Sequence, residues 1–82
     1  MRVFLSRKAA KALEETPSQM RRRLEEKISE LSLTPYPAGS RRLKGAPNAY
    51  RLRVGDYRLL YAMLSKDEIL VFKIARRETA YL

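Results

Sequence analysis

Tyr50-Arg51-Leu52-Arg53-Val54-Gly55-Asp56-Tyr57-Arg58-Leu59-Leu60-Tyr61 reads as two strands joined by a tight turn. Apolar and basic residues alternate up to Gly55-Asp56, the period-2 pattern of a strand with one buried face. A Gly-Asp pair between two such runs signals a two-residue hairpin loop. With that loop in place, Val54 opposes Tyr57, Arg53 opposes Arg58 and Arg51 opposes Leu60. A second turn at Ser65-Lys66-Asp67-Glu68 brings in a third strand, Ile69 to Arg76, in which Lys73 opposes Leu60 and Ala75 opposes Arg58. Alternation then assigns Tyr50, Leu52, Val54, Tyr57, Leu59, Tyr61, Met63, Leu70, Phe72 and Ile74 to one face. The other face receives Arg51, Arg53, Arg58, Lys73 and, just past the strand, Arg77, beside Leu60, Ala62 and Val71.

Working back from the hairpin, Tyr36-Pro37-Ala38-Gly39-Ser40 is a connecting loop and Arg41-Arg42-Leu43-Lys44 a short strand. Upstream the periodicity changes to that of helices. Ser6 is placed to cap a helix over residues 7–15 with Ala9, Ala10 and Leu13 inward. Thr16-Pro17-Ser18-Gln19 has the form of a second N-terminus, with Thr16 as cap and Pro17 in the first helical position. Met20, Leu24, Ile28 and Leu31 then mark one apolar stripe, and Pro35 stops the helix near Leu33. Val3-Phe4-Leu5 reads as a short opening strand. The expected fold is α+β: a two-helix hairpin packed on one face of a 3–4-stranded antiparallel sheet, a single domain over residues 1–82.

Composition narrows the chemistry. The 82 residues carry 18 Lys+Arg against 9 Asp+Glu, a formal net charge of +9, with no Cys and no His. That excludes a disulfide framework, thiolate or imidazole metal sites, and nucleophilic catalysis by Ser-His-Asp or Cys-His. No cofactor or metal motif is present. No apolar run approaches the length of a membrane span, and Met1–Leu5 is too short for a signal-peptide core, so a soluble cytoplasmic protein is expected.

The basic excess is uneven. Residues 36–61 hold Arg41, Arg42, Lys44, Arg51, Arg53 and Arg58 against Asp56 alone, and Lys73, Arg76 and Arg77 form a second cluster. Arg53 directly across from Arg58 is unfavourable, since like charges across a strand pair destabilise. Guanidinium groups gathered on one sheet face are what phosphate binding requires; the competing reading is an ordinary solvated face. Tyr50, Tyr57 and Tyr61 have core parity and read as packing residues. Glu25, Glu26 and Glu30 lie beside Arg22, Arg23 and Lys27 and read as surface ion pairs. Gly45 and Gly55 are turn glycines.

Leu43-Lys44-Gly45, Tyr50-Arg51-Leu52-Arg53, Gly55-Asp56-Tyr57-Arg58-Leu59-Leu60-Tyr61 and Arg76-Arg77-Glu78 with Tyr81 together resemble the RelE/ParE superfamily of toxins, and more closely its RelE branch. That resemblance implies a ribosome-dependent mRNA endonuclease acting on the A-site codon without a metal. In-line attack by a ribose 2′-hydroxyl on the adjacent phosphate would give a 2′,3′-cyclic phosphate. It assigns charge stabilisation to Arg58 and backbone orientation to Arg51 and Arg53. Phosphate holding or leaving-group assistance goes to Arg77, and stacking or proton transfer to Tyr81. Arg41, Arg42, Lys44, Lys73 and Arg76 would bind RNA more generally. The implied partners are the ribosome, mRNA and a cognate RelB-like antitoxin with acidic segments, in a hetero-oligomer. The sequence departs from the pattern in having no histidine where several relatives carry one. A ParE-like gyrase inhibitor and a non-catalytic RNA-binding module are the other functions compatible with the pattern.

Overall fold

Ser6 has extended backbone and its hydroxyl accepts from the Ala9 N–H at 3.1 Å, which starts the first helix where a cap is expected. In the computed structural model, which describes residues 1–76, the elements run β1 (Arg2–Leu5), α1 (Arg7–Glu15), α2 (Ser18–Leu33), β2 (Arg41–Arg42), β3 (Ala49–Val54), β4 (Tyr57–Ser65) and β5 (Glu68–Arg76). Thr16 does not cap α2. Its hydroxyl donates back to the Ala12 carbonyl at 2.7 Å, and its N–H donates to Leu13, so it closes α1 instead. Pro17 occupies the cap position of α2 without a side-chain cap, its carbonyl accepting from Arg21 at 2.8 Å. Ala10 is exposed. Ala9 and Leu13 pack inward with Ala12, three residues after Ala9 and so on the same side of the helix.

The sheet has five strands in the order β1-β5-β4-β3-β2. β1 lies parallel to β5 and every other neighbour is antiparallel, so the sheet gains one strand and one parallel pair over the 3–4-stranded antiparallel expectation. The two helices cover one face: Ala9, Leu24 and Leu31 join Leu52, Val54, Leu59, Tyr61, Ile69, Val71 and Ile74 in one buried cluster. Gly55 takes φ +60 at the first central position of the β3–β4 turn, while no non-glycine residue among those described has positive φ, the pattern of a type II′ turn. A Cβ there would also meet Met20 Cε at 2.7 Å, so the turn is seated against α2.

The register of the arginines is the expected one. Val54 pairs with Tyr57, Arg53 with Arg58 and Arg51 with Leu60; Arg58 pairs with Ala75 and Leu60 with Lys73. Beyond Leu60 the pairing shifts, Tyr61 facing Val71, so Phe72 is the extra residue of a bulge; a second shift lies between Met63 and Ser65. One added residue inverts the alternation on its far side. Leu70 and Phe72, expected in the core, are therefore only half-buried, and Val71, expected on the open face, is fully buried with Ile69. The bulge lets Ile69, Val71 and Ile74 all face the helices while Lys73 and Ala75 stay aligned with Leu60 and Arg58.

Candidate nucleic-acid interface

Strand alternation builds a cleft on the face away from the helices. Arg51 and Arg53 project from β3 at alternate positions, Arg58 from β4 opposite Arg53, and Arg41 from β2 opposite Arg51. With Gly39 these four arginines line a cavity of about 280 Å³. Arg58 is 5% exposed, Arg51 is half-buried, and Arg41 and Arg53 are exposed. The cleft thus has a buried cationic floor and a more open cationic rim.

Guanidinium groups carry five N–H donors each, stay protonated and pair bidentately with phosphate oxygens. Four of them around 280 Å³ suit a phosphodiester and repel a cation. Burying Arg58 costs solvation, and setting it against Arg53 adds repulsion. An anion between the two strands would offset both.

Other basic residues distribute differently. Lys44 and Arg42 line a neighbouring cavity of about 470 Å³ with Leu43 and Arg51. Arg42 pairs with Tyr50, and its guanidinium carbon lies 6.0 Å from that ring's centroid, so it reaches along the edge rather than into the cleft. Lys73 shares the Leu60 row but lines a separate cavity of about 350 Å³ with Lys8, Phe72 and Ile74. Arg76 pairs with Tyr57, in the row of Val54 on the helix-covered side, so the structure does not bring it to the arginines. Arg77 and Tyr81 lie outside the described residues.

Sequence reasoning missed the wall formed by Gly39. The loop before β2 is held by aromatic packing: the Tyr61 hydroxyl donates to the Pro35 carbonyl at 2.7 Å. Tyr50 stacks on Tyr61 with centroids 5.5 Å apart and meets Tyr36 edge-on at 5.1 Å. Burial raises the Tyr61 phenol above its ordinary pKa, against an opposing hydrogen bond with Ser40. The Tyr36 phenol is raised chiefly by its hydrogen bond with Tyr50, while nearby Arg42 acts the other way. Gly39 at φ +93 turns the chain toward Arg41. The only signal for this wall in the sequence was a glycine in a Pro- and Gly-containing loop.

A helical hairpin covers one side of the sheet, and an arginine-lined cleft opens on the other. Residues 3–81 match the family described as the ParE toxin of the type II toxin–antitoxin system parDE. The chain is 35% identical over 83 residues to the protein named RelE1 of Methanocaldococcus jannaschii, covering 96% of this chain and 92% of that one. The RelE–RelB complex from Pyrococcus horikoshii OT3 contains a similar chain, with TM-score 0.81 and 33% identity over 96% of this chain and 97% of that one. The isolated E. coli RelE toxin shares the fold, with TM-score 0.80 and 23% identity over 95% of this chain and 85% of that one. The chain belongs to the RelE/ParE superfamily, the toxins of type II toxin–antitoxin systems.

Proposed function

We propose that this toxin is an mRNA endonuclease of the RelE kind, cutting the A-site codon on the ribosome. The observation that carries this reading is the cleft of Arg41, Arg51, Arg53 and Arg58 on the open sheet face. In the reaction the ribose 2′-oxygen bonds to phosphorus, the bond to the 5′-oxygen breaks, and a 2′,3′-cyclic phosphate and a 5′-hydroxyl result. Arg58 stabilises the charge that develops on the phosphoryl oxygens. Arg51 and Arg53 orient the backbone for in-line attack. Arg77 as phosphate or leaving-group ligand and Tyr81 as stacking or proton-transfer group are assigned on the resemblance. The walls are cationic, so the reaction needs no metal ion.

The partner in the bacterial or archaeal cytoplasm is a RelB-like antitoxin whose acidic segments neutralise the basic surface; similarity to the toxin in a RelE–RelB complex supports it. Primer extension on mRNA from a translating extract tests the function. Wild type produces cuts at the A-site codon, and Arg58→Ala and Arg77→Ala remove them while still binding the antitoxin. Uncut mRNA with inhibited DNA supercoiling would overturn the proposal in favour of gyrase inhibition, the activity of a ParE-like toxin. Neither effect, with RNA still bound, would mark a non-catalytic RNA-binding module.

A further inference from the structure

Beyond Arg51, β3 has no strand on its outer side among the described residues, since β2 pairs only with Tyr50 and Arg51. The end that carries Arg53 is therefore held in the sheet by β4 alone, and there it faces the like charge of Arg58. Repulsion between the two guanidinium groups favours splaying of the hairpin tip. One pair further on, past Val54 and Tyr57, lies the Gly55-Asp56 turn. A contact that fixes this turn also fixes the spacing of rim and floor in the arginine cleft.

Two side chains of α2 reach the turn. Met20 and Arg23 are three residues apart and so share one face of the helix. A Cβ on Gly55 would stand 2.7 Å from Met20 Cε, 3.0 Å from Arg23 Nη1 and 3.6 Å from Arg23 Cζ. Met20 is half-buried and packs against the core, while Arg23 is exposed. The thioether end thus spans from the core to the backbone of the turn, with the guanidinium lying alongside. Glycine serves twice at this position, by taking φ +60 and by leaving room for Met20.

We infer that Met20 is a positioning residue for the proposed cleavage, acting through the turn. Its methyl group holds the Gly55 backbone, and with it the Arg53–Arg58 pair, in the geometry that grips the reacting phosphate. The inference rests on the RNA reading above and adds to it a residue on the helix side that never meets the substrate. Anchoring the tip to α2 opposes the repulsion in the free protein, so the two guanidinium groups are preorganised before the anion arrives. Misplacing reacting groups by about 1 Å is enough to cost on the order of a hundredfold in rate.

Cleavage kinetics on mRNA-programmed ribosomes, normalised to folded protein, test it beside amide NMR spectra of the same variants. Met20→Ala is expected to lower kcat about ten- to a hundredfold with KM nearly unchanged, and to shift the Gly55 and Tyr57 amide signals. Met20→Val, apolar but too short to reach the turn, should act in the same direction and serves if the alanine variant does not fold. Met20→Leu, close to methionine in volume, should restore both readouts. Ile28→Ala is the control: it truncates another side chain of α2 packed against the core, eight residues or about 12 Å along the helix. It should lower the melting temperature while leaving kcat and the two amide signals as in wild type. Met20 variants that match Ile28→Ala in kcat, or that raise KM alone, overturn the positioning role and leave the cleavage reading standing. Wild type that cuts no mRNA overturns both.

Discussion

The two faces of the β3–β4 hairpin are made from alternate residues of the same twelve positions, Tyr50–Tyr61, and they follow opposite rules. On the helix side, Leu52, Val54, Leu59 and Tyr61 are buried in the common core. On the far side, Arg51, Arg53 and Arg58 crowd like charges across paired strands, an arrangement that lowers stability. One face is what any folded chain needs; the other has the composition that the proposed phosphate ligand would call for. The difference teaches that a departure from good sheet design can lie at residues adjacent in sequence to those that obey it, and it is there that the proposed function places the site.

The adjacent pair Leu59 and Arg58 gives the sharpest way to separate the faces. Leu59 is fully buried and pairs with Leu52 and Ile74. Leu59→Ala is expected to cost about 2–5 kcal/mol in chemical denaturation, a large share of the 5–15 kcal/mol typical of a whole domain. Cleavage per folded molecule should change little, because the truncated side chain points away from the cleft. Arg58→Ala is expected to do the reverse. Cleavage should fall about a hundred- to a thousandfold, while thermal unfolding stays cooperative. Arg58→Lys should recover only part of that loss, since an ammonium cannot bridge two phosphoryl oxygens as a guanidinium does. If Leu59→Ala destroyed specific activity while Arg58→Ala spared it, the division between the faces would be wrong.

Tyr61 tests whether the covered face also shapes the cleft through the loop. Tyr61→Phe removes the hydrogen bond to Pro35, which should cost about 1–2 kcal/mol and loosen the segment leading to Gly39 and Arg41. The cost has a signature in pH. Burial raises the folded-state phenol above the value of about 10 that it has when unfolded. Stability from this group is therefore fully present below pH 10 and lost as pH rises through the folded value. The stability gap between wild type and Tyr61→Phe should be constant at neutral pH and shrink above pH 10. Denaturant titrations at several pH values measure it.

How far the sequence disclosed this arrangement depended on what each element's neighbours had to supply. The β3–β4 register was readable because Gly55-Asp56 permits only a tight turn, and the turn sets every pair from Val54–Tyr57 to Arg51–Leu60. The inner face of β5 was misread at Leu70, Val71 and Phe72 because a bulge leaves no mark in a continuous apolar run; only packing against the helices selects Ile69 and Val71. The parallel pairing of β1 with β5 was hidden for the same reason, since a partner 66 residues away, as in Arg2 with Glu68, is chosen by the assembled sheet. Thr16 and Pro17 show a local ambiguity: a Thr-Pro step between two helices serves either as the end of one or the start of the next, and the Ala12 carbonyl settled it. Of the site, the arginines were legible through alternation. Gly39 was not, because its place depends on Tyr61, Tyr50 and Tyr36 anchoring a loop from the other side.

Arg53 carries the smallest expected effect and the most direct test of why the open face looks as it does. It is exposed, lines the cleft, and pairs with the buried Arg58. Arg53→Thr replaces one of two like charges with a strand-favouring residue, which should stabilise the free protein by about 0.2–1 kcal/mol. In an 82-residue chain that is a rise of about 1–8 °C in melting temperature. The gain should be largest at low ionic strength and fade with added salt, because an exposed charge is screened. On the proposed mechanism cleavage should fall by less than in Arg58→Ala, because there the rim group orients the strand and the floor group meets the developing charge. Opposite signs in stability and activity from one substitution would show that the cleft is held against the preference of the sheet. Equal losses in both would instead make Arg53 a structural residue and return the open face to an ordinary solvated surface.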